Sequence, residues 1–250
     1  MKNKKTVNII KVIGYFFVII ALCISGMLIF HSFYYELIYI SGISMSPTLL
    51  GAENETSGAL VDFGIIDTHE IALKNIKRFS IVSTYYPDEG DYDLSTNTLR
   101  DNAKKKIKRV IALPGETFKI EKSKLYILND GVFENIPYTF AINPKVESAY
   151  TGKDMQPRTL GDNEYWVLGD NRENSRDSFS INKPVRYEDL YGVLVAIEGQ
   201  GRLKVKQYIC DSCKKTYKTP GNNGYCNECG NRLRVEFDVQ NKQYHWPTFF

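Results

Sequence analysis

The stretch Ser41-Gly42-Ile43-Ser44-Met45-Ser46-Pro47-Thr48-Leu49 decides the reading of this chain. It follows closely on a long apolar run, where a membrane protein would ordinarily have an undistinguished loop. A serine hydroxyl is a weak nucleophile until a neighbouring base takes its proton. The sequence has three histidines, His31, His69 and His245, and none stands in a catalytic context. A lysine serves instead if burial disfavours its charged form. The candidate is Lys108, in Lys108-Arg109-Val110-Ile111-Ala112-Leu113-Pro114-Gly115-Glu116. A third block follows at Gly169-Asp170-Asn171-Arg172-Glu173-Asn174-Ser175-Arg176-Asp177-Ser178.

At 250 residues the chain has room for one sizeable domain and a small one. Hydrophobic residues make up 43% and charged residues 24%, ordinary for a folded protein. A net charge of +3 implies no nucleic-acid partner. Seventeen tyrosines and thirteen phenylalanines favour strands outside the apolar run.

Lys2, Lys4, Lys5 and Lys11 precede that run. Val12 to Phe30 then carries no charge, and about 19 residues at ~1.5 Å each nearly cross a ~30 Å hydrocarbon core. The next Lys or Arg is Lys74, whereas Glu36, Glu53, Glu55, Asp62, Asp67 and Glu70 come earlier. Basic residues on one flank place the N-terminus in the cytoplasm and the rest outside. The expected layout is a cytoplasmic segment 1–11 and a retained transmembrane helix 12–32. A cleaved signal peptide would have a shorter apolar core and a better cleavage site than Cys23-Ile24-Ser25. Tyr34, Tyr35 and Tyr39 suit either the membrane interface or the start of a strand.

Beyond the helix, strands are expected at Glu36–Ile43, delivering Ser44, and near Ala59-Leu60-Val61. Others fall at Ile76–Tyr86, Ile107–Leu113, Glu164–Leu168 and Leu190–Ile197. Asn129-Asp130-Gly131 signals a hairpin. Asp88–Asn102 and Phe140–Leu160 read as surface loops. Lys104-Lys105-Lys106 suits a solvated strand end or contact with anionic headgroups. Strand alternation puts Lys108, Val110 and Ala112 on one face, so the lysine has small apolar neighbours. Leu203–Tyr208 and Leu233–Val239 can pair across a cysteine-bearing insert. The fold class expected is mainly β.

The three blocks, in this order after one apolar span, resemble bacterial type I signal peptidases, which cut secretory signal peptides with a serine–lysine dyad. The resemblance implies a β-rich peptidase domain over 33–204 and 234–250, with Ser44 as nucleophile and Lys108 as general base. Ser175 matches a serine that orients the lysine amine. Arg109 and Asp170 match a structural ion pair. Asp177 matches an aspartate that pairs with an arginine two residues on. That place is Phe179 here, so Asp177 is expected to turn to Arg176 or Arg172, or to be rearranged. The family usually has Gly-Asp before the Ile81 strand, where this chain has Arg78-Phe79-Ser80, which suggests a rebuilt turn. The backbone N–H of Ser44 would hold the oxyanion. Gly42, two residues earlier, offers no side-chain donor but lets a substrate backbone come close. Shallow pockets for small residues are expected near Ile40, Ile43, Met45 and Ile107. Partners implied are secretory preproteins and the lipid bilayer. Catalysis needs no cofactor. The tail Tyr244-His245-Trp246-Pro247 resembles the family's closing strand.

Cys210-x-x-Cys213 and Cys226-x-x-Cys229, in the insert 205–233, lie outside the family's core pattern. Four thiolates at this spacing can close a tetrahedral zinc site, as in a zinc ribbon. Disulfides between the two pairs are one alternative, since this part is expected outside the membrane, where they form, and free thiols are the other. Two other functions stay open: a hydrolase using His69 or His245 with Ser44, and a non-enzymatic zinc-ribbon module on a degenerate peptidase domain.

Overall fold

A computed structural model describes residues 2–52, 56–86, 92–93, 98–99, 103–122, 124–137, 154–220 and 224–250. Most of the loops expected at Asp88–Asn102 and Phe140–Leu160 lies outside the described residues. The chain divides into two units, Met1–Glu36 and Leu37–Phe250.

The first unit is a helix, α1 (Lys2–Tyr34), longer at its start than the sequence suggests. Its segment Lys11–Tyr34, 24 residues with mean hydropathy 2.6, is long and apolar enough to cross a membrane. Apolar side chains cover it all round, from Val12 to Phe33, so no single stripe marks a protein-facing side. Such an N-terminal helix fits a membrane-anchored protein.

The second unit is mostly strand, as its aromatic and β-branched content requires. β1 (Tyr35–Tyr39) enters it at Leu37. Then come β2 (Leu60–Asp67), α2 (Glu70–Lys74) and β3 (Ile81–Thr84). Two-residue strands β4 (Tyr92–Asp93) and β5 (Thr98–Leu99) pair with each other. β6 (Lys106–Ala112), β7 (Thr117–Glu121), β8 (Lys124–Asn129), β9 (Val132–Ile136), β10 (Met155–Thr159) and β11 (Glu164–Leu168) follow. The chain closes with α3 (Ser178–Ile181), β12 (Val185–Arg186), β13 (Leu190–Cys210), β14 (Lys215–Tyr217) and β15 (Arg234–Phe249).

The large sheet runs β1-β2-β13-β3-β6-β11-β12, with β14 and β15 also on β13. The small one runs β10-β7-β8-β9. Asp130 and Gly131, both at positive φ, make the β8–β9 turn that the Asn-Asp-Gly signal predicts. Phe118, Ile120, Leu125 and Ile127 of the small sheet pack on Ile111, Ala112, Trp166 and Leu168 of the large one. This double coverage buries β6 on both faces from Lys108 to Ala112. Alternation therefore does not single out Lys108; a central strand is buried whichever way its side chains point.

Several expectations change. Residues 155–159, expected in a loop, form β10 on β7. The short strand near Leu60 extends for eight residues, and β13 continues from Leu190 through Leu203 to Cys210 without a break. Leu203 and Val205 do pair with Val239 and Phe237.

Candidate active site

Ser44 does not lie on a strand. It sits in a single 3-10 turn, Ile43–Met45, that follows β1. Met45 and Leu49 are buried with Ile40, Ile66, Ile81, Leu194 and Ile197, and this cluster pins the turn from below. Lys108 comes from β6, in register with Val82 of β3. Its Nζ donates to Ser44 Oγ at 2.8 Å and to the Ile107 carbonyl at 2.8 Å.

Lys108 is 3% exposed. Burial is the main force on its amine and pushes the pKa down to about 8; Asp177 and Asp170 partly oppose it, while Lys106 assists. A neutral amine has two N–H groups and one lone pair. The Ile107 carbonyl takes one N–H, which leaves the lone pair free to face Ser44.

Ser175 does not make the contact expected of it. Its Oγ is buried and meets no hydrogen-bond partner among the described residues. The group that orients the amine is the Ile107 carbonyl, invisible in sequence because every residue has one. Ser175 instead packs on Gly169, where a Cβ would collide with both Ser175 Oγ and the Ser44 carbonyl.

Arg109 and Asp170 form the expected pair, Nη2 to Oδ2 at 2.6 Å, and Arg109 Nη1 reaches the Phe79 carbonyl at 2.9 Å. Of the alternatives open to Asp177, the structure shows the rearranged one and not a pairing with Arg176 or Arg172. The Asp177 carboxylate accepts from the N–H of Gly169 at 2.9 Å and from the N–H groups of Phe179 and Ser180 at the start of α3. Ser180 returns the contact to the Asp177 backbone N–H, a capping box. Phe179, standing where the family has arginine, packs on the Trp166 cluster instead.

Of the four residues offered for the pockets, Ile40 and Met45 are core, 2% and 1% exposed. Ile43 and Ile107 are half-buried and remain open to a ligand. A Cβ at Gly42 would meet nothing within 4 Å, so the chain is open on that side, while Gly51 lies close against the Gly42 carbonyl.

The histidines lie elsewhere. His69 caps α2, its Nδ1 accepting from the Ile71 N–H at 3.1 Å. His245 is exposed on β15 beside the Trp246 carbonyl.

The four clustered cysteines come together as the spacing requires. All four Sγ atoms lie within 4.8 Å of one another and could hold a metal ion. The pairs Cys210–Cys229 and Cys213–Cys226 are 3.4 and 3.9 Å apart, too far for a disulfide at ~2.05 Å. They match the ~3.8 Å edge of a tetrahedron with ~2.3 Å metal–sulfur bonds.

Residues 9–197 match the family described as signal peptidase, peptidase S26. Signal peptidase I of Bacillus amyloliquefaciens is 42% identical over 74 residues, 29% of this chain; the chain spans only 39% of that relative's length. Signal peptidase I V of Bacillus subtilis is 30% identical over 161 residues, 62% of this chain and 80% of that protein. A solved signal peptidase I from Enterococcus faecalis is 27% identical, covering 48% of this chain and 97% of that one, with a TM-score of 0.32. The family match over residues 9–197 takes in both the Ser44 turn and β6, and the chain belongs to the peptidase S26 family of signal peptidases.

Proposed function

We propose that this chain is a membrane-anchored signal peptidase, an endopeptidase that removes signal peptides from secreted precursors. The observation that carries the reading is the 2.8 Å approach of a buried Lys108 amine to Ser44 Oγ. With the amine neutral, Nζ accepts the Ser44 proton as Oγ attacks the scissile carbonyl. A tetrahedral intermediate follows, its oxyanion facing the Ser44 N–H, since the opening N–H groups of a helical turn have no partner within it. The lysine ammonium then returns the proton to the departing amine, leaving an ester on Ser44. Lys108 next takes a proton from water, which attacks the ester; as the C–Oγ bond breaks the ammonium gives that proton to Ser44 Oγ, which restores the free enzyme.

Gly42 and the half-buried Ile43 and Ile107 suit a substrate strand with small side chains beside Ser44. Arg109 and Asp170 are scaffolding. The basic N-terminal segment favours a cytoplasmic N-terminus and an extracytoplasmic catalytic unit in the plasma membrane. Anchoring confines enzyme and substrate to one surface and so raises their effective concentration. At the four cysteines, the sulfur spacing favours a structural zinc over disulfides; zinc would be held by Cys210, Cys213, Cys226 and Cys229 and would clip the β13–β15 ribbon.

The test is cleavage of a labelled preprotein in detergent, with the new N-terminus sequenced. Ser44→Ala and Lys108→Ala should each abolish the cut. Retained turnover in either variant would reject the pair.

A further inference from the structure

The turn that presents Ser44 has no side-chain cap at its start, because Gly42 has no side chain to offer. It is held from across the molecule. The backbone N–H of Asn171 donates to the Ser44 carbonyl at 2.9 Å. Asn171 Nδ2 donates to the Ile43 carbonyl at 3.2 Å, from 128 positions away in sequence. One residue thus contacts two consecutive carbonyls, and at Ile43 it adds to the turn's own bond, the Ser46 N–H donating to that carbonyl at 3.0 Å.

Asn171 itself sits in a rigid loop. Its neighbour Asp170 is locked by Arg109. Gly169 gives its N–H to Asp177 and accepts at its carbonyl from Arg172 Nε at 2.7 Å. The Asn174 N–H closes the loop on the Asn171 carbonyl at 3.1 Å.

A trans peptide unit points its C=O and N–H in opposite directions. The Ile43 carbonyl and the Ser44 N–H belong to one such unit. Anchoring the carbonyl on Asn171 Nδ2 therefore aims the Ser44 N–H away from Asn171. Anchoring the Ser44 carbonyl sets the next unit in the same way. Between them the Ser44 side chain has little freedom to leave Lys108 Nζ.

We propose that Asn171 is a positioning residue that sets both the reach of Ser44 Oγ to Lys108 and the direction of the Ser44 N–H toward the oxyanion. This rests on reading Ser44 and Lys108 as the reacting pair. An interaction that acts by aiming a transition-state donor lowers kcat and leaves ground-state binding alone. Asn171→Ala removes only the Nδ2 contact and keeps the backbone one. Asn171→Asp preserves the shape but sets a carboxylate oxygen against the Ile43 carbonyl.

The experiment measures kcat and KM of the full chain in detergent on a fluorogenic signal-peptide substrate, at a pH where Lys108 is neutral. Rates are normalised to folded protein by thermal melting. Both variants should lose kcat by about 10–100-fold with KM changed less than about threefold, the scale of an oxyanion donor put out of line. A peptide aldehyde that adds to Ser44 should bind more weakly by the same factor, whereas a cleaved product peptide should bind as before. Ser44→Ala runs alongside. If Ser44→Ala still cleaves, the reacting pair itself is wrong. If Ser44→Ala is dead while Asn171→Ala keeps its kcat, or loses kcat and product affinity together, the positioning role is overturned alone.

Discussion

Arg109 grips Asp170 side-on, with Nε donating to Oδ1 at 2.9 Å and Nη2 to Oδ2 at 2.6 Å, and neither side chain meets solvent appreciably. The pair ties β6, one residue past Lys108, to the loop that carries Asn171. Buried pairs of this kind hold geometry more than they add stability, since desolvation offsets most of the attraction. Breaking one is another matter, because a lone charge is then left in the core. Asp170→Ala should destabilise the protein by about 3–5 kcal/mol. Replacing both residues with leucine-sized apolar groups should recover most of that loss. Denaturant titration of the three proteins checks this, and equal loss in the single and double variants would contradict it.

With Lys108 as the proposed general base, its amine, with a pKa near 8, should set the pH dependence of the reaction. Only the neutral amine can accept the Ser44 proton, so kcat/KM should rise tenfold per pH unit below about 8 and flatten above it. At pH 7 roughly a tenth of the enzyme is ready to react. A histidine base would instead hold its rate down to about pH 6.5. His69→Ala, which removes a helix cap, should cost about 1 kcal/mol of stability and leave the profile where it was. The profile of kcat/KM on a peptide substrate decides between the two.

The same shift has a stability consequence. The unfolded chain keeps the Lys108 proton up to about pH 10.5, while the folded chain releases it near 8. Between these values the unfolded state binds more protons, so stability rises with pH. Below 8 the folded state bears the full cost of a buried ammonium, about 3 kcal/mol for the difference between the two values. Lys108→Met should therefore stabilise the inactive protein by about this amount at pH 7, with the gain fading as pH approaches 10.5. Urea midpoints at pH 7 and 10 measure it; a gain that does not fall with pH would count against burial as the cause.

The meeting of Ser44 and Lys108 was legible from residue type and local pattern, and the Arg109–Asp170 pair from the family resemblance. The Phe79 turn was legible only as a departure. At φ 71° Phe79 takes up the left-handed backbone that a glycine would supply, and the Arg109 guanidinium holds its carbonyl. Which groups would replace a missing arginine beside Asp177 was not legible, since the replacements are backbone N–H groups of a one-turn helix. The roles of the Ile107 carbonyl and of Asn171 share that origin. They depend on which loop lies across which turn, and such long-range placement leaves no local periodicity to read. The length of β13 was hidden for a simpler reason: between the expected strands Leu190–Ile197 and Leu203–Tyr208 lie Gly199 and Gly201, residues that ordinarily weaken a strand, and each here lies close against the neighbouring β15, where a Cβ would not fit.

The four cysteines give a prediction with a different readout. Bare thiols so close together resist ionisation: Cys213 is held well above its usual value, chiefly by Cys229, while Tyr217 donating to Cys226 pulls that thiol down to about 6. A divalent cation at their centre would remove this conflict by taking all four as thiolates, with protons released. The purified protein should therefore carry about one zinc per chain, bound more tightly as pH rises. Chelation should lower the melting temperature, because the ends of β13, β14 and β15 lose their clip. Denatured in chelator without reductant, the chain should show all five of its thiols to a colorimetric reagent. Two disulfides would leave only Cys23 to react, and that count would overturn the metal site whatever the melting curve shows. Cys213→Ser should lose the metal yet keep the Ser44–Lys108 pair active, since the cluster of Cys210, Cys226 and Leu233 is separate from the one beneath Ser44.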